Sequence, residues 1–219
     1  MMSNQAEELL HQLKSLSGPF PPWNLEHLPD QPGKLFLEWL KLAIENNVKE
    51  PHAMTLSTVD QQGYPDARVL ILKNIIEDTF YFASSSNSRK GQQLHDNPKV
   101  ALTLYWPALG RQIRIRGIAQ DQGDEAGASD FRKRKFGARV VAMTERQSQQ
   151  LIEEEELNRS IEVQKKRLRE DPDFAAPHWR LYAVHAEEVE FWQGDTDRKH
   201  IRVQYTRQDE QWHKNRLWP

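Results

Sequence analysis

Strand-like segments lie on both sides of a helical block, and this order constrains the fold more than any other feature of the chain. Five runs read as strands before the block: Ala53 to Val59, Ala67 to Lys73, Thr79 to Ser84, Lys99 to Trp106 and Arg111 to Gln120. Asp60-Gln61-Gln62-Gly63 reads as the hairpin turn between the first two. A short helix, Ser88 to His95, is expected between the third and fourth, stopped by Asn97-Pro98. Residues 124–170 then read as helical, with a long element from Leu151 to Glu170. Its first half is acidic and its second half basic, which suits the helix dipole. Three more strands follow: Trp179 to Phe191, Ile201 to Thr206 and Gln211 to Leu217. Strands that resume after a helical excursion point to one α+β domain on an antiparallel barrel.

The first third is different in character. Residues 5–16 read as a short amphipathic helix carrying Leu9, Leu10, Leu13 and Leu16, broken by Gly18-Pro19-Phe20-Pro21-Pro22-Trp23. Helix resumes over 34–47, where Leu35, Phe36, Trp39, Leu40, Ala43 and Ile44 recur at helical spacing. The expected organisation is an extension over 1–33 packing on or near the barrel, then a single domain over 34–219 with its helical insert at about 124–170.

Composition excludes several functions. Seven Trp and eight Phe argue against disorder, and a formal net charge of −2 supplies no global field toward nucleic acid or membrane. The absence of cysteine rules out disulfides, thiolate catalysis and Cys-based metal centres, and fits a cytoplasmic location. Met1 to Leu16 has no long apolar run and carries Glu7 and Glu8, unlike a signal peptide, and no stretch has membrane-spanning length. No G-x-G, Walker loop, G-x-S-x-G or H-E-x-x-H occurs, so no metal site is expected. The basic run Arg132 to Lys135 lacks the interleaved aromatics of a nucleic-acid surface, and no nucleic-acid partner is expected.

What remains are basic clusters suited to an anion. Ser84 to Gly91 reads Ser-Ser-Ser-Asn-Ser-Arg-Lys-Gly, with hydroxyls at a helix start and two cations in its first turn. Free backbone N–H groups, hydroxyls and cations together suit a phosphate; the alternative is an ordinary Ser-rich cap. Arg68 and Lys73 bracket an apolar strand. Gln112, Arg114 and Arg116 alternate with Ile113 and Ile115, as in a half-exposed strand. Arg198, His200 and Arg202 also alternate. In an extended segment they share one face beside Trp192 and Gly194, offering two guanidiniums and an imidazole to an anionic ligand; the alternative is a polar strand facing water.

Taken in order, Arg68-Val69-Leu70-Ile71-Leu72-Lys73, Ser88-Arg89-Lys90, Asn97-Pro98, Arg111-Gln112-Ile113, Arg146-Gln147-Ser148, Phe191-Trp192-Gln193-Gly194, Arg198-Lys199-His200-Ile201-Arg202 and Arg216-Leu217-Trp218-Pro219 resemble the pyridoxamine/pyridoxine 5'-phosphate oxidase family from about Leu35 to Pro219. The resemblance implies an FMN-binding split β-barrel, antiparallel and Greek-key-like with peripheral helices, working as a homodimer with FMN at the interface. It implies FMN contacts from Arg68, Val69, Leu72, Lys73, Ala83, Ser84, Ser88, Arg89, Lys90, Gln112, Gln147, Ser148, Trp192 and Arg202, with Arg89 and Lys90 on the phosphate. Lys73, Arg134, Arg198 and His200 resemble the substrate residues, Arg198 and His200 the catalytic pair. Where the family usually adds a Tyr and a Ser to the substrate phosphate, this chain has Asp130 and Ala138.

The implied reaction is oxidation of a phosphorylated B6 vitamer to pyridoxal 5'-phosphate. Hydride passes to the flavin, O2 is the acceptor and H2O2 the product, while Arg198 and His200 orient the substrate and His200 stands as a candidate proton acceptor. Two rivals follow from the same residues. One is a relative oxidising another aromatic metabolite of dihydrophenazine type, favoured by Asp130 and Ala138 and opposed by the retained Lys73, Arg134, Arg198 and His200. The other is a flavin-binding protein without turnover, opposed by Arg198 and His200.

Overall fold

The computed structural model describes residues 2–219, with side chains described from residue 6. Met1 lies outside the described residues. The strands are β1 (Ala53–Val59), β2 (Pro65–Ile71), β3 (Asn74–Ile76), β4 (Thr79–Ser85), β5 (Lys99–Trp106), β6 (Arg111–Asp121), β7 (Trp179–Gln193), β8 (Ile201–Gln208) and β9 (Gln211–Leu217). They form one sheet in the order β2-β1-β5-β6-β7-β4-β3, with β8 on β7 and β9 on β8. Every pairing is antiparallel. The curled sheet and its helices are the α+β split barrel expected from the sequence.

β7 is long enough to serve two partners on one edge. Its first half pairs with β4, Trp179 to His185 against Ser85 to Thr79. Its second half pairs with β8, Glu188 to Gln193 against Thr206 to Ile201. β6 runs along the other edge of β7, and its register shifts between Arg116 and Gly117. This bulge leaves Glu187 unmatched and bends the sheet between the two halves.

Alternation along the strands builds the core. Val100, Leu102, Leu104 and Trp106 of β5, Ile113 and Ile115 of β6, and Val189 and Phe191 of β7 are buried, while their neighbours face outward. α2 (Pro32–Glu45) covers this face with Leu35, Phe36, Trp39 and Ala43. Its aromatic rings meet the sheet edge to face: Trp39 on Phe191 at 5.1 Å and Phe36 on Phe80 at 5.2 Å. α3 (Arg89–Asp96) follows β4 directly. A smaller cluster, Phe131, Val140, Met143, Leu168, Ala176 and Trp179, lies among α4 (Gly123–Arg132), α5 (Phe136–Ala142) and α6 (Glu154–Glu170).

Several boundaries differ from expectation. The helix expected over 5–16 is α1 (Met2–His11), and Leu9, Leu10 and Leu13 remain exposed, so no packing extends it. The long helix begins at Glu154, because Leu151 and Ile152 are exposed and add nothing to its buried stripe. β2 starts two residues early, and Lys73 falls beyond it. β3 was not foreseen: three residues pair with β4 across a tight turn in which Glu77 takes a left-handed conformation.

At the bulge, a Cβ on Gly117 would stand 2.1 Å from the backbone oxygen of His185. Gly117→Ala forces two central strands apart. It is expected to cost roughly 2–3 kcal/mol or more, a fall in Tm of about 4–12 °C at this chain length. Gly137→Ala, with open space around the new methyl, is the control and should leave the thermal transition unchanged or raise it.

Candidate active site

The turn from β4 into α3 builds a cation pocket. Ser88 is the N-cap of α3; its Oγ accepts from the Gly91 amide at 3.2 Å and donates to the Ser85 carbonyl at 2.7 Å. That hydroxyl also accepts from Lys90 Nζ at 3.1 Å, and Gln147 Oε1 accepts from the same ammonium at 3.2 Å. Lys90 is only 6% exposed, and no carboxylate among the described residues lies within 4 Å of its ammonium. Burial lowers its pKa, the nearby Arg68 charge lowers it further, and Asp66 opposes both. A buried cation whose hydrogen-bond partners are all neutral is costly by itself and suits an anionic ligand.

Arg68 is held from several sides. It donates to Thr58 Oγ1 at 2.6 Å and to the Leu56 carbonyl at 3.3 Å, and pairs with Asp66 at 2.8 Å. Thr58 in turn donates to Gln93 Oε1 at 2.6 Å, and both residues are buried. Arg89 is exposed and reaches Asp66 at 3.6 Å. Ser84 is buried and Ala83 half-buried on β4; Leu72 is buried, and Val69 is exposed on edge strand β2. Ser148 lies beside Gln147 in a left-handed conformation. Two cations, a capping hydroxyl and a helix start fit the phosphate of FMN.

A second group lies beneath α4 and α5. Lys73 Nζ pairs with Asp130 Oδ1 at 3.1 Å, while Trp179 Nε1 donates to Asp130 Oδ2 at 2.9 Å. The Arg134 guanidinium lies 4.0 Å from the centre of the Trp179 ring and donates to the Ala138 carbonyl at 3.3 Å. Its Nε is buried without a partner, and burial lowers its pKa against the opposing charge of Asp130. A cavity of about 690 Å³ joins this group to the first: Ser85, Gln147, Arg134, Ala138 and Trp179 all line it.

The third group stands on the sheet. Register places Gln112, Trp192 and Arg202 side by side across β6, β7 and β8. Arg202 Nε donates to Glu190 Oε1 at 2.8 Å and its Nη1 to the Trp218 carbonyl at 3.1 Å. The buried Glu190 also pairs with Arg114 at 3.3 Å. Arg198 and His200 are not on this strand. They belong to the turn before β8, where Arg198 has φ +67° and His200 packs 4.9 Å from Trp192. The expected alternation of Arg198, His200 and Arg202 along one strand face is therefore corrected, since Asp195 draws the chain into a turn there. None of Gln112, Trp192, Arg198, His200 and Arg202 lines the 690 Å³ cavity.

Sequence reading passed over Thr58, Gln93, Glu190 and Asp195. Glu190 stands between the buried Val189 and Phe191, but the same strand carries Glu187 and Glu188, so the sequence does not single it out. Thr58 and Gln93 carry no mark either.

Comparison with known proteins agrees with this architecture. The family model described as pyridoxamine 5'-phosphate oxidase matches residues 40–207. A pyridoxine/pyridoxamine 5'-phosphate oxidase of Pseudomonas fluorescens (strain SBW25) is 38% identical over 193 residues, covering 87% of this chain and 90% of that protein. The enzyme of the same name from Pseudomonas paraeruginosa (strain DSM 24068 / PA7) is 37% identical with the same coverage. Among solved structures, PhzG from Burkholderia lata 383, in complex with tetrahydrophenazine-1-carboxylic acid, superposes with a TM-score of 0.84 at 27% identity, covering 92% of this chain and 100% of that one. With its fold, its phosphate-type pocket and a match over most of its length, the chain belongs to the pyridoxamine 5'-phosphate oxidase family and is an FMN-dependent oxidoreductase.

Proposed function

We propose that this chain oxidises a reduced, non-phosphorylated aromatic acid of dihydrophenazine type, in place of a phosphorylated B6 vitamer. The observation that carries this reading is the ion pair between Lys73 and Asp130. Lys73, Asp130 and Arg134 together sum to one positive charge. A phosphate monoester carries about two negative charges near neutrality, so it would meet one net cation and a carboxylate. A carboxylic acid carries one charge, which this trio matches. Trp179, fixed by Asp130 and covered by Arg134, adds apolar surface to the cavity wall. PhzG, which binds a tetrahydrophenazine carboxylic acid, supports the same substrate class. Oxidation of pyridoxine or pyridoxamine 5'-phosphate is the second reading, supported by the 37–38% identity to oxidases of that name and by the presence of Arg134, Arg198 and His200.

In this reading Lys90 and Arg89 hold the FMN phosphate, with Arg68, Ser84, Ser88, Gln147 and Ser148 around it. Gln112, Trp192 and Arg202 serve the flavin from the sheet face, and Val69, Leu72, Lys73 and Ala83 complete its surroundings. FMN when bound supplies the two-electron acceptor, with O2 as the terminal oxidant. Arg198 and His200 orient the substrate. The phosphate pocket and the sheet-face group occupy different parts of one chain, and apolar Val69 and Ile71 are exposed on edge strand β2. Both features support a homodimer in which each flavin takes residues from two chains. Residues 34–219 form the FMN-binding domain in this proposal, and 1–33 an extension. No helix among the described residues is long and apolar enough to cross a membrane, and the proposed location is the cytoplasm.

Peroxide release separates the two substrate readings. Wild type should turn over a dihydrophenazine carboxylic acid with higher kcat/KM than pyridoxamine or pyridoxine 5'-phosphate, and the reverse order would establish the second reading. Asp130→Asn removes the carboxylate that opposes the charges of Lys73 and Arg134. It should lower KM for the phosphorylated vitamer about tenfold or more, a conservative share of the several kcal/mol available at intermediate dielectric.

Lys90→Met tests the phosphate pocket. FMN affinity, followed by flavin fluorescence, should fall about ten- to a hundredfold, the worth of one charge-assisted hydrogen bond. Without FMN, burial depresses the Lys90 pKa below its ordinary 10.5, so the unfolded chain keeps this proton to higher pH than the folded one. Wild-type stability relative to Lys90→Met should therefore rise as pH climbs toward 10.5, measured by denaturant melts of the apoprotein.

A further inference from the structure

We infer that His200 is held as the neutral tautomer with its proton on Nε2 and serves the substrate as a hydrogen-bond donor, with Asp195 as the positioning residue that sets this state. The inference rests on the reading that Arg198 and His200 face substrate, and it specifies what His200 offers there.

Asp195 organises the whole turn between β7 and β8. Its backbone amide donates to His200 Nδ1 at 3.1 Å. Its Oδ1 accepts from the amides of Asp197 at 2.8 Å and Lys199 at 3.2 Å. Its carbonyl accepts from the Arg198 amide at 3.1 Å, closing a tight turn in which Arg198 is left-handed. Gly194 anchors the start of the turn by donating to the Gly110 carbonyl at 2.7 Å. Trp192 supports the imidazole at 4.9 Å between ring centres. The ring is thus fixed in place and in rotation.

The chemical consequence follows from the hydrogen-bond inventory of histidine. A neutral imidazole has one N–H and one lone-pair nitrogen. A backbone amide can only donate, so Nδ1 must be the lone-pair nitrogen, and Nε2 carries the proton. A base acting through Nε2 would need that nitrogen bare and the proton on Nδ1, pointed at the Asp195 N–H. The expected role of His200 as proton acceptor is therefore replaced by that of donor. With the Arg198 guanidinium on the same turn, residues 195–200 present only donors from these two side chains, suited to lone-pair or anionic atoms of the substrate.

The test uses FMN-loaded protein labelled with 15N-histidine, with the His200 signal assigned by its loss in His200→Gln. Long-range 1H–15N correlation should show Nε2 protonated and Nδ1 bare. A ring protonated on Nδ1 overturns the inference whatever the substrate proves to be. Asp195→Asn keeps the Oδ1 acceptor and should preserve this tautomer pattern; Asp195→Ala frees the turn and should mix the two tautomers and raise KM more than it lowers kcat. An unmixed pattern in Asp195→Ala removes Asp195 as the positioning residue. In turnover, His200→Gln retains a donor and should lose no more than about tenfold in kcat/KM, whereas His200→Glu, an acceptor, should lose a hundredfold or more, roughly the scale of a misplaced proton-transfer group. Activity kept by Glu and lost by Gln would show a base and overturn the donor role. Arg198→Ala and His200→Ala both turning over at the wild-type rate would instead overturn the substrate-facing reading on which the role depends.

Discussion

The backbone ladder of β7 is the constraint on which the rest of the structure depends. Fifteen residues in one strand, Trp179–Gln193, pair with β6 on one edge and with β4 and β8 in succession on the other. A single strand therefore carries Trp179 to the helical cluster at one end and Glu190 and Trp192 to the sheet-face group at the other. The bulge at Gly117 lets the sheet curl between these ends, because a side chain there would strike the His185 carbonyl. Both ends are tied to the same ladder.

Charges inside this frame are handled in two contrasting ways. Arg68 and Arg202 each pair with a carboxylate, Asp66 and Glu190, which Arg89 and Arg114 share. Lys90 has hydroxyl and amide oxygens only, and Arg134 keeps an unpartnered buried Nε. Arg111 also has neutral partners only, but it lies in the core: buried over Trp39, it bonds Gln193 and the Pro22 carbonyl, and desolvation lowers its pKa to about 10. Neutral partners alone therefore do not mark a ligand site; an adjoining cavity is needed as well, which Gln147 and Arg134 line.

Asp130 gives Lys73 a carboxylate partner. By taking Lys73 and the Trp179 indole together, it couples that ammonium to the orientation of the Trp179 ring.

Much of this was legible in the residues. Alternation marked eight of the nine strands, and Ser88 with Asn97-Pro98 bracketed α3, because strand faces and helix caps are local in sequence. The ordered basic segments pointed to the family in the same way. β3 was missed because three residues hold no periodicity, and the start of α6 was misplaced because Leu151 and Ile152 look like a buried stripe until packing shows them exposed. Local pattern alone marks most of the elements, their antiparallel barrel class and the donors available to an anion. That Asp130 neutralises Lys73 and that Asp195 bends Arg198 and His200 off the strand emerges only on folding. The first is a contact between residues far apart in the chain. The second is a side-chain choice between strand and turn, settled by hydrogen bonds that periodicity does not encode.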